Sequence, residues 1–124
     1  MSRFLTSCSC QISATQTPHT MYIVTVLFEI KAKHQTEFNQ LMRDNAKASV
    51  DNEPGCLQFD ICSNAASDKQ VFLYEVYTSR EAFEEHLQSA HFIDFNAATT
   101  HMVSNKTVES FSCLVAHNKL ASQP

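Results

Sequence analysis

At 124 residues, the chain has the length of one domain. Its composition is 44% hydrophobic and 18% charged, with one Gly and three Pro, which excludes a disordered chain and a loop-rich disulfide scaffold. A net charge of −4 offers no electrostatic footprint for nucleic acid or an anionic membrane, and no apolar run reaches the ~18 residues needed to span a bilayer.

Met1 to Thr20 is rich in Ser, Thr and Gln and has no acidic residue. No continuous apolar stretch follows Arg3, so residues 1–20 read as a flexible arm, or an extension upstream of a start at Met21, rather than a targeting peptide. Five Cys with no C-x-x-C point to reduced thiols and a cytoplasmic setting. Cys8 and Cys10 are too close together for a zinc knuckle and no second pair follows, so no metal is expected.

Residues 21–117 carry the periodic pattern of the domain. Tyr22 to Lys31 is a strand of β-branched and aromatic residues, apolar on one face and mixed on the other. His34 to Asn52 has helical spacing, with Phe38, Leu41, Met42, Asn45, Ala48 and Ser49 on its inner arc. Asn45 on that arc requires a hydrogen-bond partner or costs ~1–3 kcal/mol. Glu53-Pro54-Gly55 stops the helix, since the residue before proline disfavours helix and Gly supplies a permissive turn. Cys56 to Cys62 alternates, with Leu57, Phe59 and Ile61 on one side. Asn64 to Lys69 is a turn, and Val71 to Tyr77 is a buried strand interrupted by the carboxylate of Glu75.

Thr78-Ser79 caps a helix running to Gln88, with Phe83 at the centre of its inner arc and His86 at the edge. The chain breaks at Ser89-Ala90-His91 and resumes as a helix from Phe92 to about Met102, with Phe92, Phe95, Asn96, Thr99 and Met102 inward. Thr107 to Ala116 is the last strand, and residues 118–124 form a polar tail. The order β-α-β-β-α-β is that of the α+β ferredoxin-like fold, a four-stranded antiparallel sheet with helices on one face. The other face is too apolar to stay wet, which predicts a homodimer.

The blocks NEPGCLQFDI, LYEVY and FEEHLQSAHFIDF, in this order and at these spacings, resemble the antibiotic biosynthesis monooxygenase (ABM) domain family over about Met21 to Ala116. The resemblance implies a dimeric α+β barrel with a pocket between sheet and helices. It further implies a monooxygenase that needs no metal, flavin or haem and uses O2 on a small phenolic or quinol-type substrate. Because the family also includes an isomerase of a phosphorylated autoinducer dione and members without known activity, an isomerase and a non-catalytic ligand-binding module stand beside it as alternatives.

Such oxygenation needs a group to take a proton from an electron-rich substrate, and a neutral His suits that step. His86, His91, Glu75 and Asn45 are the candidate catalytic residues, expected to line one pocket in which the Glu75 charge raises the pKa of a nearby His. A structural ion pair would serve equally well to explain Glu75, and a satisfied core histidine to explain His86. Phe38, Met42, Phe83 and Phe92 are the expected substrate-binding walls. Phe59, Tyr74 and Tyr77 of the strands complete that set, although Tyr74 and Tyr77 face opposite ways, so at most one enters a given pocket. His19, His34, His101 and His117 have no ligand spacing and read as surface.

Overall fold

The computed structural model describes residues 21–117 and 119. The expected arm and nearly all of the expected tail lie outside the described residues. The elements are β1 (Tyr22–Ile30), α1 (Gln35–Asn52), β2 (Cys56–Asn64), β3 (Ser67–Tyr77), α2 (Arg80–Leu87), α3 (Ala90–Thr99) and β4 (Val103–Ser112), with short 3-10 turns before α1 and after α3. The four strands form one antiparallel sheet in the order β2-β3-β1-β4. This is the ferredoxin-like fold expected from the element order.

Register sets the two faces of the sheet. Val24 pairs with Glu75, Val26 with Leu73 and Phe28 with Val71, and all six are buried on the helix side. Phe38 and Met42 of α1, Phe95 of α3 and Met102 close the core over them. The Phe38 ring meets those of Phe28 and Phe95 at centroid distances of 5.1 and 5.7 Å in edge-on contacts, the geometry that aromatic quadrupoles favour. On the opposite face, Phe72 and Phe111 are exposed.

Several expectations are corrected. Leu57 does not share a face with Phe59 and Ile61: the β2–β3 register shifts between Cys56 and Gln58, so Leu57 is the extra residue of a bulge and is exposed. β4 starts at Val103 rather than Thr107, immediately after the turn ending at Met102. Leu114 and Val115, whose apolarity suggested strand, lie beyond it and are exposed. In α2 the fully buried residues are Ala82 and His86, while Phe83 is only partly buried. Asn96 of α3 is exposed. Cys56 and Cys62 are free thiols, but Cys113 is disulfide-bonded, so an odd count without C-x-x-C did not exclude a bridge. Among the described residues, no helix is long and apolar enough to cross a membrane.

Phe38, fully buried, should cost about 3–5 kcal/mol when changed to Ala. Phe83→Ala should cost clearly less, because part of that ring already meets water. Urea unfolding of the two variants checks this order, and a larger loss for Phe83 would mean that α2 is rotated from the position described.

Candidate functional site

α1 ends by placing three polar side chains in succession on its inner surface. Asn45, Ser49 and Glu53 are spaced at i, i+4 and i+8, which advances the side chain only ~40° per step. Asn45 and Ser49 are buried. The Ser49 hydroxyl donates to the Asn45 carbonyl at 2.8 Å, while Asn45 Oδ1 is buried with no hydrogen-bond partner. Glu53 is the C-cap residue, with its N–H bonded to the Ser49 carbonyl. A carboxylate there faces the negative end of the helix dipole, so its charge needs compensation from elsewhere.

That compensation comes from α2 and α3. Glu53 Oε2 accepts from His86 Nδ1 at 2.8 Å and from His91 Nε2. Ser49 Oγ lies 3.5 Å from the same His86 nitrogen. Glu53 Oε1 is buried with no donor. His86 is almost fully buried, but the His91 side chain keeps 20% of its surface open. Burial pushes the His86 pKa below its usual value, against the upward pull of the Glu53 hydrogen bond and charge. Glu75 is not among the causes, so the expectation that its charge raises the pKa of a neighbouring His is not met at His86.

Two local devices hold this cluster. Ser89 caps α3, its Oγ accepting from the Phe92 N–H at 3.3 Å while donating to the His86 carbonyl at 2.7 Å. One hydroxyl thereby fixes the end of α2 to the start of α3, and with them His86 to His91. Gly55 fixes the cluster to α1. A Cβ at that position would lie 2.5 Å from Ala82 Cβ and 3.1 Å from Thr78 Oγ1. The glycine is required for close approach to α2, not for an unusual backbone angle, which corrects the turn-based expectation.

Around His86 stand the rings of Phe59, Tyr77, Phe83 and Phe92, at centroid distances of 6.1, 5.6, 6.2 and 5.1 Å. Behind them, the buried Tyr77 hydroxyl donates to Glu75 Oε1 at 2.6 Å. Burial raises the Glu75 carboxyl to about 7, offset in part by the Tyr77 bond and the Lys106 charge and reinforced by the Glu53 charge. Burial likewise raises Tyr77, and Cys56 to about 12, so the phenol remains a donor and the thiol is not a nucleophile near neutral pH.

Of the candidate residues, His86 and His91 come together. Asn45 lies on the same side of the sheet but is linked to them only by its backbone carbonyl, which accepts from Ser49, while its side-chain Oδ1 makes no hydrogen bond. Glu75 faces that side too but meets Tyr77 rather than a histidine. Phe59, Tyr77, Phe83 and Phe92 form the aromatic surround, whereas Phe38 and Met42 belong to the core. Tyr74 pairs with Thr25 and Asp60 on the opposite face, so it is removed from the site, as a strand residue one position from Glu75 must be. Glu53, which the sequence presents only as part of a helix stop, is the functional residue that the sequence reading misses. Its signal was present: an acid continuing the Asn45–Ser49 row at the helix end where acids are disfavoured.

A family model described as antibiotic biosynthesis monooxygenase matches residues 21–98. No curated protein matches the chain. Among solved structures, a Nitrosomonas europaea protein provisionally named an antibiotic biosynthesis monooxygenase is similar, with a TM-score of 0.74 and 24% identity over 80% of this chain and 95% of its own. Rv0793 of Mycobacterium tuberculosis superposes with a TM-score of 0.73 at 21% identity, over 79% of this chain and 99% of its own. PA3566 of Pseudomonas aeruginosa does so with a TM-score of 0.71 at 20% identity, over 77% and 96%. At these identities the likeness shows the fold.

Two predictions follow from the site. Gly55→Ala should destabilise by about 1–3 kcal/mol, because both contacting atoms belong to fixed, short side chains; an unchanged thermal midpoint would show that α2 moves aside freely. For Glu75, the carboxyl binds its proton more tightly folded, at about 7, than at its ordinary 4.5. Its contribution is therefore fully present below about pH 4.5 and lost as pH rises through about 7, by roughly 3 kcal/mol. Glu75→Gln keeps an acceptor for Tyr77 and should flatten that loss in urea midpoints at about pH 5 and 8. The same slope in the variant would assign it to another group.

Proposed function

The chain belongs to the antibiotic biosynthesis monooxygenase family, and from that premise we propose that it is a cofactor-independent monooxygenase acting on a small phenolic or quinol-type substrate with O2. The observation that carries the reading is the pair of imidazoles backed by one carboxylate inside an aromatic surround. His91 keeps part of its surface open and is the group that meets substrate. With its Nε2–H given to Glu53, Nδ1 is the nitrogen left to take the substrate proton. Glu53 orients the ring and stabilises the imidazolium that forms. His86, buried behind it, holds the carboxylate in place.

Proton removal makes the substrate the electron donor. A quinol and O2 then give a hydroxyquinone and water, one oxygen atom going to each, with no outside reductant in the balance. The aromatic rings around His86 suit a flat substrate. A phosphorylated dione suits the site less well. Lys47 and Arg80, the nearest helix cations in sequence, are engaged with Asp51 and Glu84 on exposed helix surfaces. The exposed Phe72 and Phe111 on the outer sheet face support a homodimer that covers them.

Oxygen uptake with a panel of quinols tests the reading. His91→Ala should lower kcat by about 10²–10⁴-fold; it also lowers the thermal midpoint, because the largely buried Glu53 carboxylate loses one of its two donors, so kcat is compared at a temperature where circular dichroism shows the variant folded. Full turnover in that variant, or no uptake by the parent protein with any quinol, would sink it. Sedimentation at micromolar concentration should give a dimer, and a monomer would leave the outer sheet face unexplained.

A further inference from the structure

We propose that Glu53, His86 and His91 form a binding site for one divalent first-row transition ion, with Zn2+ the best-matched probe. Glu53 Oε2, His86 Nδ1 and His91 Nε2 all lie within 4.8 Å of one another. They arrive from three different elements, the end of α1, the end of α2 and the start of α3. Zinc sits ~2.0–2.2 Å from imidazole nitrogen and carboxylate oxygen, so its donors stand roughly 3–3.5 Å apart.

The hydrogen-bond pattern is unbalanced in a way that an ion corrects. Both imidazoles are directed at the same oxygen, Oε2, while Oε1 is buried with no donor. Among the described residues, Glu53 has no ion-pair partner besides these two rings. With both rings neutral, the cluster holds a full negative charge in a largely enclosed place, which is costly. A divalent ion takes the lone pair of His86 Nδ1 and of His91 Nε2 once the proton of each neutral ring has moved to its other nitrogen, binds the carboxylate and reverses the sign of the local charge. Two imidazoles and one carboxylate select zinc and its first-row neighbours over Mg2+ or Ca2+, which prefer oxygen alone. Three protein ligands leave a position for water, and the open edge of His91 gives an entry path.

The inference does not rest on the oxygenation reading. An ion on the triad would occupy the carboxylate and both ring nitrogens now bonded to it, and so compete with the proton-accepting arrangement.

The test uses the full chain, stripped with a chelator and titrated with Co2+ followed by visible absorption, and with Zn2+ by calorimetry. One ion per chain is expected, with ligand-field bands of a four- or five-coordinate cobalt site. Glu53→Gln and His91→Asn should each weaken binding by about tenfold or more. A His34→Ala/His101→Ala variant, which removes the pair with rings 4.9 Å apart elsewhere on the surface, should bind as the parent does. Circular dichroism confirms that each variant is folded, and if one is not, the other carries the comparison. Absence of cobalt bands at about millimolar Co2+, or binding unaffected by both triad variants, overturns the proposal. Oxygen uptake by the stripped protein separates the two readings: turnover without ion binding leaves only oxygenation standing, and ion binding without turnover leaves only the metal site.

Discussion

A carboxylate at the carbonyl end of a helix is electrostatically misplaced, and Glu53 occupies that place at the end of α1. It is also largely out of water. Two imidazoles from separate helices make the placement tolerable by directing hydrogen bonds to it. The packing of α2 and α3 against the end of α1 is thereby tied to one charge. The same arrangement fixes the rings, because a histidine that gives one N–H to a fixed carboxylate has its ring plane and tautomer settled.

Short-range features of the chain make that meeting possible. Ser89 joins consecutive helices with a single hydroxyl, accepting from one and donating to the other. Gly55 lets the start of β2 pass against Ala82 where any side chain would collide. Each limits how far His86 can drift from Glu53. The aromatic rings around His86 add a low-dielectric surround, and burial there pushes the imidazole pKa below its usual value while strengthening the hydrogen bonds within.

Glu75 and Tyr77 form a second polar unit on the same sheet face, enclosed by the apolar core. The carboxyl there titrates near neutrality because burial outweighs both the phenol hydrogen bond and the distant lysine. The Glu53 charge adds to the rise of the Glu75 carboxyl.

Much of the architecture was legible from residue order. Period-two and helical patterns placed β1, α1, β3 and α2 within a few residues, since alternation and helical spacing record which side of an element is covered. The facing of Glu75 followed once strand register was known, and register depends on pairing with β1, a contact far away in sequence. The bulge at Leu57 and the start of β4 were not legible, because both are set by how a strand meets its neighbour rather than by its own pattern. His86 and His91 stood out as candidates by residue type. Glu53 did not, because the thirty-three and thirty-eight positions between it and those rings are closed only by the packing of α2 and α3 on α1. Local preference describes each element from its own residues; the partner of a buried charge is chosen by three-dimensional proximity, to which sequence distance gives no guide.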